Sequence, residues 1–394
     1  MTKKLSQLLA VFFCIILVIV TFSGCIEVEQ KLEEFKGKFL PKVKMNQPSI
    51  LPDWKDGEYH DYYKTTDFLT NLHIKYPDLV NVFSIGKSVQ GRELWCIRIT
   101  NENITDDKLS CLIDGAIHGC EWEAGEACLY LAEYLLINFD RNESITDILN
   151  KTEIYIVPLL NPDGRQVDDR FNANGVDLNR NFDVDFGRIR GGCLRIGTIF
   201  GKRVFTYRTF PLLHQIFPTF PQYLLNCGRK AFSEPETCAL RDLAYELQDT
   251  ELSFYINCHT AVHNIATPWQ AFKPPFQLTE KEKDILDYAR GWIDENTEYE
   301  DLVMNYMGDV YKSSGTAMDW IFKELRIPAF TFELLNPDFE PEAGGGRHEF
   351  LVHWMKTVMP VFMYLLVNIE NFHRWEMPDI QPSLPEGVPP EPLK

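Results

Sequence analysis

The sequence predicts an α/β domain over residues 57–372, built on a mixed, mostly parallel twisted sheet with helices on both faces. Short apolar runs alternate along the chain with longer runs whose apolar residues recur every three or four positions. Several of the short runs stop at turn residues or at a histidine. With 394 residues, 45% of them hydrophobic, the chain can bury one large core.

The individual elements follow from these patterns in chain order. Residues 65–77 have helical spacing, and residues 80–100 predict two strands joined by a hairpin at Gln90–Arg92. The further strands predicted are LSCLIDGAIH (109–118), TEIYIVPLL (152–160), LSFYINCHT (252–260) and PAFTFELL (328–335), and the further helices are 121–139, 234–248, 279–296, 316–325 and 349–369.

The two ends of the chain differ from the domain between them. Residues 1–25 have the pattern of a secretory signal, and the small residues before Cys25 favour lipidation of that cysteine, with an uncleaved anchor helix as the alternative. Residues 26–56 predict a linker, and the Pro-rich residues 373–394 predict a disordered tail. We expect a domain tethered through its N-terminus at the extracellular face of the cell membrane.

Charge separates one segment from the rest. The formal net charge of -18 and the pI near 5.0 argue against nucleic-acid binding, which requires a basic face. Residues 188–233 contain no Asp or Glu, yet they carry Arg, Lys and many aromatic residues. This composition suits a lid rim or a membrane-facing surface, with an ordinary structured insert as the alternative. Cys193 and Cys227 lie in this segment and form the first candidate pair for a disulfide.

Three residues are candidates for a metal centre. His118 and Glu121 stand three residues apart after an apolar run, and His259 ends the apolar run LSFYINCH. Catalytic zinc takes three protein ligands and keeps one position for water. The ends of parallel strands converge at one edge of a sheet, so His259 is the best third ligand. Taken alone, His118 is equally well explained as a histidine bonded to backbone.

A second histidine motif does not fit a zinc site. Residues 348–353 read His-Glu-Phe-Leu-Val-His, which resembles the HExxH signature. The second histidine comes one residue too late, and positions five apart on a helix face directions about 140° apart. We interpret His348 and His353 as surface or packing residues.

Other polar residues suggest a substrate site. Asn179 and Arg180 stand together in GVDLNRNF, and a guanidinium beside an amide suits a carboxylate. Arg170 could stabilise an oxyanion. Glu333 lies in the apolar strand AFTFEL, where a carboxylate costs free energy unless it has a partner or a function. Tyr311 opens a Ser- and Gly-containing loop before a predicted helix.

In this order, the motifs resemble the zinc metallocarboxypeptidases of the carboxypeptidase A type, peptidase family M14. The resemblance covers about residues 57–372 and implies that family's single catalytic domain and α/β fold. The motifs that carry it are His118, Glu121 and Trp122, then NPDG (161–164), GVDLNRNF (175–182), SEPET (233–237), His259, Tyr311 and Phe332-Glu333-Leu334.

The resemblance implies a role for each catalytic group. His118, Glu121 and His259 would hold one zinc ion per chain, which activates a water molecule. Glu333 would act as general base towards that water and then as acid towards the leaving amine, an effect typically worth ~10²–10⁴-fold. Arg170 would stabilise the oxyanion together with the zinc.

The resemblance also implies how the substrate binds. Asn179 and Arg180 would hold the terminal carboxylate of a peptide or protein, which makes the enzyme an exopeptidase. Tyr311 would close over the bound residue. Met318 would form the floor of the side-chain pocket, which favours apolar or aromatic C-terminal residues. Cys120 departs from the family pattern, because the animal enzymes carry Arg at that position, so binding of outer residues is expected to differ.

Two alternatives remain at this point. One keeps the zinc and changes the substrate to a specialised peptide, of the cell-wall or γ-glutamyl type, or to another amide. The other is a peptide-binding module without catalysis, which is disfavoured because the ligand residues and the base are all present. The leading expectation is a monomeric extracellular zinc protease, and the lead alternative differs from it only in substrate.

Overall fold

The computed structural model describes residues 59–188, 193–194, 208–209, 215–217, 223–260, 263–296, 312–334 and 358–378. All of these belong to one compact unit. The predicted signal segment 1–25 and linker 26–56 lie outside the described residues, as do most of 188–233 and of 373–394. Within the described part of the chain, no helix combines the length and the apolar character that crossing a bilayer requires.

The described elements confirm the predicted alternation of strands and helices. The strands are β1 (Val80–Lys87), β2 (Glu93–Ile99), β3 (Leu109–Gly115), β4 (Thr152–Val157), β5 (Cys193–Leu194), β6 (Arg208–Thr209), β7 (Tyr223–Asn226), β8 (Leu252–His259), β9 (His263–Ala266) and β10 (Ala329–Leu334). The helices are α1 (Tyr62–Lys75), α2 (Trp122–Asn138), α3 (Glu143–Lys151), α4 (Pro162–Arg165), α5 (Pro235–Gln248), α6 (Glu280–Asn296), α7 (Ala317–Leu325) and α8 (Ile369–His373), with helical residues also at 358–367.

Local signals explain several of these boundaries. Asp61 caps α1 by accepting a hydrogen bond from the Lys64 amide at 2.9 Å, and Pro235 stands in the first turn of α5. The predicted hairpin between β1 and β2 is present, with Gly91 in the left-handed region at φ +81°. Helix α3 was not predicted, although Asn142 caps it by accepting from the Ile145 amide at 3.2 Å.

The main sheet has the predicted mixed topology. Its seven strands run in the order β1-β2-β4-β3-β8-β10-β9. The four central strands β4, β3, β8 and β10 are parallel, whereas β1, β2 and β9 join antiparallel at the edges. Strands β5, β7 and β6 form a separate small sheet. The parallel centre places the carboxyl ends of β3, β8 and β10 side by side at one edge of the sheet.

Helices cover both faces of the sheet, as predicted. Ile113 and Ile256 belong to the core formed with α1, α2, α3, α6 and residues 358–372. Leu112 and Tyr255 face the opposite way, into the core formed with α5 and α7. Because alternate strand residues enter opposite cores, the central strands are apolar along most of their length. Full burial of each such side chain contributes about 1.5–3 kcal/mol.

Candidate metal centre

His118 and Glu121 lie in the short connection between β3 and α2. The sequence predicted a strand that continues to His118. The strand β3 ends earlier, at Gly115, so His118 lies in the loop that follows it. Gly119 allows this loop to approach α4 closely, because a Cβ there would lie 2.2 Å from the carbonyl carbon of Gly164. Glu121 is the residue that immediately precedes the first turn of α2. The helix start therefore fixes the carboxylate beside the histidine.

His259 and Glu333 reach the same edge from two neighbouring strands. His259 is the last residue of β8, and Glu333 pairs with it in the parallel register of β10. Residues level with each other on adjacent strands project to the same side of a sheet. Glu333 is only 9% exposed, so its carboxyl group is buried at this edge. The sheet topology thus brings together two residues that lie far apart in sequence.

The two histidines and Glu121 form a compact buried cluster. Nδ1 of His118 lies 2.6 Å from Oε1 of Glu121, and Nδ1 of His259 lies 2.8 Å from Oε2 of Glu121. One ligand atom from each residue falls within 4.8 Å of the others. No other group of three His, Cys, Asp or Glu gathers in this way within the described residues. Two imidazole nitrogens and a carboxylate oxygen are a typical donor set for catalytic zinc, so the cluster fits one zinc ion.

The environment of the cluster favours the protonation states in which its residues can bind a cation. Burial alone would raise the pKa of Glu121, but the adjacent His118 and His259 hold it well below its usual range. Burial lowers the pKa of His259, although Glu121 opposes this effect. Metal ligands must be a carboxylate and neutral imidazoles, and both shifts favour those forms.

Asp177 is a central residue that the sequence reading did not single out. It is fully buried, and its Oδ1 lies 3.1 Å from Nε2 of His118. Its Oδ2 accepts a hydrogen bond from Nε of Arg170 at 2.9 Å. Despite burial, the charges of Arg170, His118 and Arg180 hold the pKa of Asp177 well below its usual range. The only sequence signal was an acid two residues before Asn179 in GVDLNRNF.

Asp177 also places Arg170 next to the cluster. Nη1 of Arg170 lies 3.4 Å from Oε1 of Glu121. The guanidinium therefore bridges two buried carboxylates while its side chain remains 27% exposed. This position agrees with the predicted contact between Arg170 and a developing oxyanion, whereas the role itself stays a prediction.

Asn179 and Arg180 border the cluster on the side of helix α7. Oδ1 of Asn179 accepts a hydrogen bond from the Ala317 amide at 2.9 Å, and its Nδ2 lies 3.1 Å from Nε2 of His259. Gly315 passes over Arg180 with φ +68°, and a Cβ there would lie 2.2 Å from the Arg180 carbonyl oxygen. The loop before α7 therefore packs closely against Asn179 and Arg180, the two residues predicted to bind the terminal carboxylate.

Met318 lies in the core beneath the same loop. It is 1% exposed, and its sulfur accepts a hydrogen bond from the Thr331 hydroxyl at 3.4 Å. The neighbouring Asp319 accepts from the amides of Gln270 and Ala271, at 3.0 and 2.6 Å, so this acid serves the packing of the loop. The predicted part of Met318 in side-chain selection remains a prediction.

Several other predictions concern residues that the structure describes only in part. Tyr311, His348, His353 and the side chain of Cys193 lie outside the described residues. Cys120, two residues after His118, is exposed. Cys258, next to His259, is buried, and its thiol contacts Cys128.

Comparisons with known proteins agree on one family. The sequence model described as zinc carboxypeptidase, Peptidase M14, matches residues 65–353. Carboxypeptidase O of Bos taurus is 23% identical over 333 residues, which is 79% of each chain. Carboxypeptidase D of Mus musculus is 36% identical over 135 residues, which is 32% of this chain and 10% of that protein. The chain thus matches about a tenth of the length of its carboxypeptidase D relatives.

Solved structures give the same result for the fold. Carboxypeptidase A from Helicoverpa armigera superimposes with a TM-score of 0.60 at 21% identity, covering 86% of this chain and 81% of that one. Thrombin activatable fibrinolysis inhibitor superimposes with a TM-score of 0.60 at 19% identity, covering 81% and 75%. At these identities the likeness concerns the fold alone. Because the family model spans most of the sequence, the chain belongs to the zinc carboxypeptidase family, Peptidase M14.

Proposed function

We propose that the chain is a zinc-dependent exopeptidase that hydrolyses the C-terminal peptide bond of peptides or proteins. The observation that carries this proposal is the buried cluster of His118, Glu121 and His259, with Glu333 level with His259 on the next strand. Membership of the zinc carboxypeptidase family supports the same chemistry. The proposal includes one zinc ion per chain.

Each residue of the cluster has a part in this reaction. When bound, zinc polarises the scissile carbonyl and activates water. Glu333 takes a proton from the attacking water and passes it to the leaving amine. Its place at the strand end, level with His259, supports this role, because a general base must lie within reach of the group that it deprotonates. Arg170, anchored by Asp177, stabilises the oxyanion that forms at the carbonyl carbon.

Recognition of a free C-terminus is assigned to Asn179 and Arg180. Both side chains are buried beside the cluster. A guanidinium in this position can form charge-assisted hydrogen bonds with the carboxylate of a substrate. Tyr311 closes over the bound residue. Met318 forms an apolar floor, so the proposed preference is for apolar or aromatic C-terminal residues. A specialised substrate, such as a cell-wall or γ-glutamyl peptide, remains the alternative.

The test is hydrolysis of blocked dipeptides by residues 26–394 with metal content recorded. The substrates end in Phe, Leu, Lys, Arg or Glu, and each is paired with an amidated form. Release of Phe or Leu that disappears with the amide would support the exopeptidase and its apolar pocket. Release of Lys or Arg instead would refute the assigned pocket floor while retaining the reaction.

Two variants separate the base from general effects. Glu333→Gln should lower kcat by ~10²–10⁴-fold with zinc still bound, because only proton transfer is removed. Glu324→Gln is the matched control, since Glu324 is a partly exposed carboxylate on α7 that contacts Lys323. Activity of the Glu333→Gln variant equal to that of the control would refute Glu333 as the base.

We further propose that the domain acts as a monomer tethered through its N-terminus at the extracellular face of the membrane. The pattern of residues 1–25 supports this placement. The measurement is fractionation of cells that express the full chain or Cys25→Ser. Release of the variant into the medium, with the parent chain retained on membranes, is the expected result. Equal retention would refute lipidation at Cys25 as the anchor.

A further inference from the structure

A chain of buried polar groups lies directly behind His259. Nε2 of His259 lies 2.5 Å from Oδ1 of Asn257, and Nδ2 of Asn257 donates to Oδ1 of Asp114 at 2.6 Å. The second oxygen of Asp114 accepts a hydrogen bond from the Tyr255 hydroxyl. All four side chains are at most 2% exposed, so water does not replace these bonds. The chain connects β8 to β3 across the sheet.

The carboxylate of Asp114 determines which atom donates and which accepts in each of these hydrogen bonds. Oδ1 of Asp114 can only accept, so the Asn257 amide must turn its nitrogen towards Asp114. The oxygen of Asn257 then faces His259, and it can only accept. Nε2 of His259 must therefore carry the hydrogen. Nδ1 of His259, 2.8 Å from Oε2 of Glu121, is then the nitrogen whose lone pair would bind the metal, at the point where the metal ligands converge.

Two neighbouring groups could disturb this order, and neither does so. Nδ2 of Asn179 lies 3.1 Å from Nε2 of His259 and could donate only to a bare nitrogen, but the Asn257 oxygen is closer. Burial raises the pKa of Asp114 to about 7. A proton on Asp114 would lie on the oxygen beside Tyr255, which leaves Oδ1 an acceptor for Asn257. Both protonation states give the same order.

We propose that Asp114 is a positioning residue that, through Asn257, fixes the tautomer and ring orientation with which His259 binds the metal. This inference deepens the proposed function, because it concerns the same cluster. Groups that hold the second nitrogen of a metal-binding histidine typically contribute 10–100-fold to metal affinity. Asp114 does so from one residue further away, and it touches neither the metal ligands nor the substrate site.

The test compares zinc affinity among variants, using competition with a chromophoric chelator and the absorption of the cobalt-substituted protein. Asn257→Leu and Asp114→Leu should each lower zinc affinity by about 10–100-fold, with a changed cobalt spectrum. Tyr255→Phe is the matched control. It removes the other hydrogen bond of Asp114 and should lower the stability of the metal-free protein, yet leave zinc affinity within about 3-fold of the parent.

A double variant keeps the inference testable where a leucine variant does not fold. Asp114→Asn with Asn257→Asp exchanges the two groups, so that the carboxylate introduced on β8 would accept from His259 and from the amide introduced on β3. This variant should bind zinc within about 3-fold of the parent, because His259 still donates to an acceptor at position 257 and only the hydrogen bond between positions 257 and 114 reverses its direction. A loss beyond about 10-fold, or leucine variants that fold and bind zinc as tightly as the parent, would overturn the inference.

The outcomes also separate this inference from the proposed function. A parent chain that binds zinc but releases no C-terminal residue would refute the exopeptidase, while the affinity comparison would still decide the role of Asp114. A parent chain that binds no zinc would refute both.

Discussion

Replacement of Asp177 by Asn tests how strongly the buried carboxylate holds the metal-free site together. Asp177 accepts from Arg170 at 2.9 Å and lies 3.1 Å from Nε2 of His118, with no exposure to solvent. An asparagine has one acceptor oxygen, so its amide nitrogen would face one of these donors. Hydrogen bonds to charged groups contribute about 1.5–3 kcal/mol each, and one orphaned donor adds its desolvation penalty. We expect the free energy of unfolding to fall by about 3 kcal/mol.

The assay is urea unfolding of the metal-free protein, followed by zinc competition on the folded variant. Zinc affinity should also fall by about 10–100-fold, because His118 loses the carboxylate at its second nitrogen. Asp242→Asn is the control, since Asp242 is 64% exposed and its pair with Arg241 should contribute less than about 1 kcal/mol. The reasoning would be refuted if Asp177→Asn unfolded at the same urea concentration as that control.

Three further predictions concern metal, pH and the loop before α7. Zinc at 100 times its Kd should raise the free energy of unfolding by about 2.7 kcal/mol, and His259→Ala should abolish this response in thermal melts with and without chelator. Burial raises the pKa of Glu236 from 4.5 to about 7, so its contribution to stability is present below the unfolded pKa and is lost as pH rises from about 4.5 to 7. Urea unfolding of Glu236→Gln and the parent at about pH 5 and pH 7.5 should therefore favour the variant more at the higher pH, and a pH-independent difference would contradict this. Gly315→Ala should raise KM more than it lowers kcat in dipeptide hydrolysis, because its Cβ would push against the Arg180 carbonyl; an unchanged KM would show that the loop tolerates the methyl group.

The fold was predictable because its signals are local and repeated. Strands β3 and β8 are apolar runs ended by Gly or His, and helix α2 is preceded by Glu121 and continues through apolar residues. Their alternation implied a parallel centre, which the parallel pairing of β4, β3, β8 and β10 confirms. Helix α3 was missed because it is short and partly polar, and its signal is a single capping asparagine.

The metal cluster was predictable for a related reason. His118 and Glu121 are neighbours in sequence, and His259 could be added because parallel strands end at a common edge. Residues whose task is to hold other residues gave no such signal. Asp177 looks like any acid in a turn, and Asp114 and Asn257 look like polar interruptions of apolar strands. Asp177 lies 59 residues from His118, and Asp114 lies 143 residues from Asn257, so these contacts become visible only in the folded chain. Only Asn257 is close in sequence to its partner His259, at a separation of 2 residues.

The sequence by itself determined the alternation of elements, the acidic charge, and the residue types able to bind zinc. The tertiary structure decided which acids surround those ligands and in which direction each hydrogen bond runs. The physical reason is that the spacing of apolar residues, which determines helices and strands, can be read from neighbouring positions in the sequence. The state of a buried carboxylate or imidazole depends on charges and donors that reach it from other strands. Glu121 shows the difference most clearly, since burial would raise its pKa and two histidines from separate elements lower it.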